Sequence, residues 1–523
     1  MDLKKASQTE YDCVIVGGGI NGLGLAVDLS SRGYKVALFE KGDFGSGTSS
    51  RSSKLIHGGL RYLETGQIRL VREACRERHW LLEKAPHLVK PLAFIFPVYK
   101  EGKWSRLMLR LGLFFYDFLA GLKGVIPHKM LDKSTVLDSV PSLNSEGLLG
   151  GAIYYDAQMD DSRICVELAM MAKNLGADLF NYVEIVSITK GSTKVVSVDV
   201  KDVFTGELAT IGARFFAFTV GPWINQVSSS LLGIPDKSFV SLSKGVHLVV
   251  SKIVQEKALI LTAKQDGRVF FVIPWGASQT LIGTTDTIYS GDPNSVSVEP
   301  EDRSYLLKEV NAYFPDLNLS EDDILFQFAG LRPLSVSSKS DVGKISREHY
   351  IPRLYDNAYA MVGGKYTTYR VMAEDFSRLV CRYLDPKSSF VSFSKEIPFY
   401  GMMPTDTLFD SYLGSTLEVD EARLKRRYGT QYKVVLKVLS ENSRYRELFH
   451  GTSWYKGELV YGVRYEFVKT VMDFLRRRTT LLFSKEVSEQ CVREVLKVLS
   501  SECLWSDRRL EMEDTFLKSH HLL

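Results

Sequence analysis

Residues 12 to 40 constrain the fold more than any other stretch of the chain. Asp12-Cys-Val-Ile-Val16 is a short apolar run that reads as a buried parallel strand. Gly17-Gly-Gly-Ile-Asn-Gly22 follows at once, so Gly17, Gly19 and Gly22 fit G-x-G-x-x-G, and Gly24 comes two residues later. Leu23 to Ser31 has helical character and stops at Arg32-Gly33; a second apolar run, Val36 to Phe39, ends in Glu40. The physics of such a β-α-β unit is specific. One glycine makes the tight turn, another lets the backbone approach a pyrophosphate, and a third lets helix and strand pack closely. The helix N-terminus then faces the phosphates, and Glu40 binds ribose hydroxyls. Strand, turn, helix, second strand and terminal acid all agree, so the chain is expected to bind an adenine dinucleotide. Gly17, Gly19, Ile20, Asn21, Gly22, Glu40 and Lys41 are the residues expected around it.

The unit does not choose between FAD and NAD. A second G-x-G-x-x-G and a C-x-x-C are both missing, which argues against a two-nucleotide disulfide reductase. Gly45-Ser-Gly-Thr-Ser-Ser-Arg-Ser-Ser53 is dense in small hydroxyl residues and long for an ordinary connection. Such a loop can donate many hydrogen bonds to phosphates and to a ring system, so it suits an extended cofactor, with Thr48, Ser49 and Ser53 as contacts. Lys54-Leu-Ile-His-Gly-Gly-Leu-Arg-Tyr-Leu63 follows directly and adds Lys54, Leu55, His57, Gly58 and Gly59.

Composition narrows the class of protein. The 523 residues are 45% apolar and 24% charged, with a net charge of +4. A nearly balanced charge does not indicate a nucleic-acid binder, and the balance of apolar and charged residues excludes a fibrous or disordered chain. Six scattered cysteines lack zinc spacing and read as buried thiols of a reducing compartment. The N-terminus, MDLKKASQTE, has no apolar core of a signal peptide. The longest apolar run, Leu107 to Leu122, is broken by Arg110 and Asp117 and is too short and charged to span a bilayer. A cytoplasmic or surface-bound multidomain enzyme remains.

From Ser53 to Glu64 the chain resembles FAD-dependent glycerol-3-phosphate dehydrogenases, within the glycine oxidase and D-amino-acid oxidase fold group. The resemblance recurs at Gly221-Pro-Trp223, Lys244-Gly-Val-His-Leu-Val-Val250, Phe271-Val-Ile-Pro-Trp275 and Ile282-Gly-Thr-Thr-Asp286. It continues at Gly330-Leu-Arg-Pro-Leu334 and Val362-Gly-Gly-Lys-Tyr-Thr-Thr-Tyr-Arg370. It thus covers about Tyr11 to Arg370, and more loosely Glu458 to Thr479. One departure is Thr219-Val-Gly-Pro-Trp223, where the family has Ala-Thr-Gly-Pro-Trp; it weakens any need for a hydroxyl at position 220.

The resemblance implies oxidation of sn-glycerol 3-phosphate to dihydroxyacetone phosphate on non-covalently bound FAD, with electrons passed to a quinone. An oxygen-using glycerol-3-phosphate oxidase and an amine or amino-acid oxidase are the rival readings on the same scaffold. A small phosphorylated alcohol needs fixed cations for its phosphate, a group to take the hydroxyl proton and a hydride acceptor. Arg332, in an apolar context fixed by Gly and Pro, is the best phosphate anchor, because a guanidinium fork pairs with phosphate oxygens in a bidentate way. Arg347 is a second candidate by resemblance, and Arg61 and Tyr62 are placed beside the substrate in the same way. Lys365 follows Gly363-Gly364, where the backbone can come close to a cofactor, and its ammonium can hold developing negative charge. Gly364, Thr367 and Thr368 accompany it on the flavin side, with Val183 and Gly221 elsewhere along the cofactor. A lone histidine in a strand is more often structural than catalytic; the resemblance places His247 over the flavin as the leading general base. His57 is read as a holder of the flavin loop. Hydride transfer to flavin requires no metal.

The expected fold is α/β: a discontinuous Rossmann-like FAD-binding domain (1–86, 160–235 and 342–385), an antiparallel-sheet substrate domain (87–159 and 236–341) and an all-helical C-terminal domain (386–523). Helices are expected over Glu64 to Lys84, from an N-cap at Asp160-Asp161, and around Val434 to Leu439, Phe467 to Leu475 and Cys491 to Leu499. In Trp104 to Leu122, the apolar residues Leu107, Met108, Leu111, Phe114, Phe115, Phe118 and Leu122 share one broad helical face, with Lys103, Arg106, Arg110 and Asp117 mostly opposite. That pattern suits either an interfacial helix or a core helix with a charged outer face. The resemblance, with its lipid-soluble acceptor and no spanning segment, implies a peripheral protein on the cytoplasmic face of the inner membrane. A homodimer is left open.

Overall fold

The apolar Asp12–Val16 run can lose contact with water only if both its faces are covered, and it lies within a sheet of eight strands. The computed structural model describes residues 2–63, 66–121, 126–235, 237–336, 349–387, 389–405, 418–484, 486–520 and 522–523, without the side chain of Arg61. Tyr11–Val16 pairs in parallel with Val36–Glu40 on one side and with Leu208–Phe218 on the other. Asp178–Asn181 and Ala358–Ala360 extend the parallel core outward. One face packs on the helices Ile20–Ser31, Asp161–Asn174 and Tyr369–Leu384. The other is covered by an antiparallel meander of Val183–Lys190 and Val195–Asp202. Asp160 caps the second helix through the Arg163 N–H, as expected from its acidic start.

The second sheet has ten strands. Val240–Ser251 pairs with Gln279–Gly283 and with Ile324–Ser335, and the sheet runs on through Val269–Trp275 and Ala258–Thr262 to Val89–Tyr99 and Leu148–Met159. It is antiparallel except where Ala258–Thr262 runs parallel to Val89–Tyr99. Leu55–Ile56 pairs with Leu148–Met159, so the expected cofactor segment that begins at Lys54 reaches into this sheet.

Three helix expectations change. The helix expected from Glu64 begins at Ile68, after Gly66 turns the chain at φ +69°; Glu64 itself lies outside the described residues. The Phe467–Leu475 stretch is not one helix. The preceding helix stops at Tyr465, Phe467 takes φ +61°, and the chain rewinds as a wide π-turn over Asp473–Arg478. Phe467, Val468, Val471, Met472 and Leu475 recur at helical spacing because residues on both sides of the break pack into the core. The Leu107–Leu122 helix is Arg106–Ala120, capped by the Ser105 hydroxyl on the Met108 N–H; Leu122 lies outside the described residues.

The C-terminal region is helical: Glu421–Tyr428, Tyr432–Glu441, Lys456–Tyr465, Glu489–Glu502 and Asp507–Ser519. Buried ion pairs tie it to the nucleotide-binding half. Asp43, three residues beyond Glu40, accepts from Arg477 Nε (2.5 Å) and from Arg478 Nη1 (2.5 Å) and Nη2 (2.9 Å). Arg163 pairs with Glu466, and Arg427 with Asp160. Burial pushes the Asp43 carboxyl up, but Arg478 and Arg477 outweigh it and hold the group below the usual carboxylate range. Removing one partner of a buried pair leaves an uncompensated charge, at a cost of about 3–5 kcal/mol. Asp43→Ala is therefore expected to lower the midpoint of chemical denaturation and to expose the C-terminal helices to limited proteolysis.

Candidate active site

One cavity of about 1050 Å³ runs between the two sheets. Its first end is the Gly-rich turn. Gly17 stands at φ +104°, a conformation L side chains rarely adopt, and any Cβ there would lie 2.9 Å from the Thr219 carbonyl oxygen. A Cβ at Gly22 would meet the Gly17 carbonyl oxygen at 2.0 Å and the Thr219 hydroxyl at 2.6 Å, so this glycine stands behind the turn and lets helix and strand close on each other. Glu40 is fixed by two backbone donors, the Gly18 N–H at 2.7 Å and the Gly42 N–H at 2.8 Å. Burial pushes its carboxyl up and those two donors pull it back. The Ser49 hydroxyl accepts from the Ile20 N–H at 2.9 Å, which draws the hydroxyl-rich loop onto the helix N-terminus. The Thr48 hydroxyl donates to the Leu331 carbonyl at 2.7 Å and so joins this loop to the second sheet.

The other end is set by strand register. Gly245 faces Gly330, Ser243 faces Arg332 and His247 faces Phe328. Directly paired residues of antiparallel strands share a face, as do residues two apart along a strand, so Arg332 and His247 point to the same side. The glycines make room for them. The Arg332 guanidinium lies across Gly245, where a Cβ would be 2.4 Å from Nη2. The His247 ring lies over Gly283, where a Cβ would be 2.3 Å from Cδ2. Arg332 donates to the Thr284 hydroxyl at 2.8 Å and the Thr285 carbonyl at 3.3 Å, with Asp286 at 3.5 Å. His247 Nε2 meets the Ser53 hydroxyl at 2.8 Å, and the ring stacks on Phe328 with centroids 5.0 Å apart. Nδ1 is buried with no partner among the described residues. Burial, then Arg332 and Lys54, hold the His247 pKa well below 6.5, so the ring is neutral. Opposite, Lys365 Nζ lies 3.5 Å from the centroid of the Tyr62 ring, beside Gly59.

Most of the residues expected from sequence line this cavity: Gly17, Gly19, Ile20, Asn21, Glu40, Lys41, Thr48, Ser49, Ser53, Leu55, His57, Gly59, Tyr62, Val183, Gly221, His247, Arg332, Gly364, Lys365 and Thr367. Four stand behind the lining. Besides Gly22, Lys54 is buried and spends its ammonium on Asp161 (2.5 Å) and the Ser50 carbonyl (2.8 Å). Gly58 presses on Tyr116, and the Thr368 hydroxyl turns back to the Lys365 carbonyl at 3.4 Å. Arg347 and the Arg61 side chain lie outside the described residues. Sequence reasoning passed over Arg51, Thr219, Gly245, Gly283 and Thr284. The glycines were quoted within motifs, and only strand pairing shows that each faces a functional side chain. Thr219 carries the hydroxyl that the departure at position 220 lacks. It donates to the Val16 and Gly17 carbonyls at 3.0 and 2.9 Å.

These residues fit an adenine dinucleotide that ends in a ring system. Glu40 would hold ribose hydroxyls, the helix N-terminus with Thr48 and Ser49 would hold the pyrophosphate, and His247 and Lys365 would stand beside the ring system. That is the site of a flavin-dependent oxidoreductase. The family described as FAD dependent oxidoreductase matches residues 12–369, and the C-terminal domain of alpha-glycerophosphate oxidase matches residues 363–510. The aerobic glycerol-3-phosphate dehydrogenase of Staphylococcus haemolyticus is 35% identical over 518 residues, covering 95% of this chain and 92% of that relative. The solved glycerol-3-phosphate dehydrogenase of Bacillus halodurans, complexed with FAD, superposes with a TM-score of 0.80 at 30% identity, over 99% of this chain and 95% of that one. Glycine oxidase of Geobacillus kaustophilus shares the fold, with a TM-score of 0.54 at 23% identity over 73% of this chain and 96% of its own. The chain belongs to the FAD-dependent glycerol-3-phosphate dehydrogenase family.

The depressed His247 pKa has a consequence for stability. The unfolded chain binds the proton near pH 6.5 and the folded chain does not, so this contribution is complete above that pH and is lost as pH falls below it. The loss amounts to about 1.4 kcal/mol per pH unit. Thermal unfolding between pH 7.5 and 5.5 is expected to show a smaller acid-side drop in Tm for His247→Asn than for the native protein.

Proposed function

We propose that the chain oxidises sn-glycerol 3-phosphate to dihydroxyacetone phosphate on FAD and delivers the electrons to a quinone at a membrane surface. The observation that carries the substrate reading is the placement of Arg332 and His247 on one face of one sheet, in a cavity that Lys365 also lines. FAD, when bound, supplies the acceptor for the hydride that leaves the carbinol carbon. Arg332, held by Thr284 and Asp286, binds the substrate phosphate as a fork. Neutral His247 takes the hydroxyl proton. The Lys365 ammonium stabilises the negative charge that grows on that oxygen as the proton departs. Arg61, Tyr62 and Arg347 are proposed to complete the phosphate site.

The acceptor reading rests on the Arg106–Ala120 helix. Its outer face exposes Leu107 at 67% and Phe118 at 70%, with Leu111, Phe114 and Phe115 between them, while Leu109, Leu113 and Tyr116 are buried beneath. Exposed Lys103, Arg106 and Arg110 flank that face. An apolar strip with basic neighbours suits the headgroup boundary of an anionic bilayer. No helix among the described residues is long and apolar enough to cross a membrane. A peripheral position on the cytoplasmic face of the inner membrane is consistent with six unpaired cysteines, five of them buried. The match of the C-terminal region to an oxidase domain favours a second reading, with oxygen as acceptor.

Anaerobic addition of glycerol 3-phosphate is expected to bleach the flavin, whereas glycine, sarcosine and D-amino acids leave it oxidised. Arg332→Ala is expected to raise the substrate KM at least a hundredfold, as loss of a charge-assisted fork should; an unchanged KM refutes the phosphate assignment. Reoxidation in a stopped-flow instrument then separates the acceptors, and fast reaction with oxygen but none with a quinone analogue overturns the quinone reading. In a separate measurement, cosedimentation with phosphatidylglycerol vesicles is expected for the native chain. The double change Phe114→Glu and Phe118→Glu should abolish it with flavin content retained.

A further inference from the structure

The outer face of the Arg106–Ala120 helix is apolar and exposed, but its inner face carries a polar group where apolar packing would be expected. Tyr116 is 1% exposed, and its hydroxyl reaches into the turn that borders the substrate site. It donates to Asp156 Oδ1 at 2.6 Å. It accepts from Arg78 Nη1 at 3.0 Å and from the Gly58 N–H at 2.9 Å. Asp156 Oδ1 accepts in turn from the same Gly58 N–H at 3.1 Å and from Arg78. Tyr116 of the helix and Asp156 of the Leu148–Met159 strand therefore both accept from one backbone N–H, and Arg78 of the Ile68–Lys84 helix donates to both acceptors. Burial, reinforced by the Asp156 charge, keeps the phenol protonated, so it remains a donor.

The contact is tight on both sides of the turn. A Cβ at Gly58 would lie 2.4 Å from the Tyr116 hydroxyl oxygen and 2.4 Å from Cys75 Sγ. Gly59, at φ +82°, would place a Cβ 2.3 Å from the Tyr62 ring and 3.6 Å from Lys365 Nζ. The Tyr62 N–H closes the turn on the Gly59 carbonyl at 2.9 Å. Two glycines thus stand between the Tyr116 hydroxyl and the Tyr62–Lys365 pair, with no slack in the chain between them.

We propose that Tyr116 is a positioning residue for the reaction: through Gly58 and Gly59 it fixes Tyr62 and Lys365 against the substrate. The proposal rests on the reading of Lys365 as the group that faces the reacting oxygen. Displacement of a reacting group by even 1 Å can lower a rate by about a hundredfold, and the turn has one hydroxyl to hold it from the helix side. Tyr116→Phe keeps the ring and its packing, and removes only that hydroxyl.

The test is anaerobic stopped-flow reduction of the flavin by saturating glycerol 3-phosphate. Tyr116→Phe is expected to slow reduction roughly tenfold or more while flavin content and the rate of reoxidation stay at native values. Leu113→Ala, which removes packing from the same buried face, is expected to lower Tm more than Tyr116→Phe and to reduce its flavin at the native rate. In a Tyr62→Leu background, Tyr116→Phe should cost nothing further, because the two act along one path. If Tyr116→Phe fails to hold flavin, Asp156→Asn, which weakens the same junction from the strand side, is measured in its place. Native reduction rates in Tyr116→Phe overturn the proposal, as do effects of Tyr116→Phe and Tyr62→Leu that simply multiply, or a Leu113→Ala protein that is slowed equally. A native protein whose flavin is not bleached by glycerol 3-phosphate overturns the functional reading itself, and this proposal with it.

Discussion

Two large sheets can share one cavity only where side chains are missing, and the rest of the structure depends on that absence. Gly17 and Gly22 let the first helix close on the first strand. Gly245 and Gly283 open the floor beneath Arg332 and His247, and Gly330 accepts the backbone of Arg51, whose carbonyl oxygen would lie 2.7 Å from a Cβ there. At each of these positions a methyl group would collide with backbone or with a functional side chain. The space each glycine gives up is taken by a neighbouring atom, so the packing around the cavity stays dense.

Charge follows a related logic. The net charge of +4 conceals buried charged residues of both signs. Lys54, Arg78, Arg163, Arg477 and Arg478 are all buried, and each meets a carboxylate. Such pairs add little net stability compared with apolar packing, but breaking one is costly, so they hold elements in register. Arg332 differs. It donates to the Thr284 and Ser243 hydroxyls and to the Thr285 carbonyl, with the Asp286 carboxylate at 3.5 Å, and these partners orient the guanidinium.

The local part of the site was legible in the chain because its physics is local. The turn after Val16, Glu40 at the end of the next strand and the hydroxyls at 48 and 49 belong to one β-α-β unit and the loop that follows it, whose spacing carries the geometry. The Asp160 cap was readable for the same reason. Lys54 was misjudged because no sequence signal tells a cation facing a cavity from one neutralised by Asp161, 107 positions away. The Arg106–Ala120 helix exposes the face with the larger apolar residues. It anchors through Leu109, Leu113 and Tyr116, which periodicity alone had not singled out. The break at Phe467 escaped notice because apolar spacing records which residues are buried, and says nothing of a left-handed backbone between them.

By itself the sequence determined that this chain binds a dinucleotide and which family it resembles. Those follow from short motifs, where neighbours along the chain are also neighbours in space. Only the tertiary structure decided which side chains meet. Arg332 and His247 share a face because of the pairing register between two strands some 80 residues apart. Lys365 reaches Tyr62 because a glycine turn, braced from behind by Tyr116, brings the two together. Contacts of that kind depend on the relative placement of whole sheets, which no local spacing encodes.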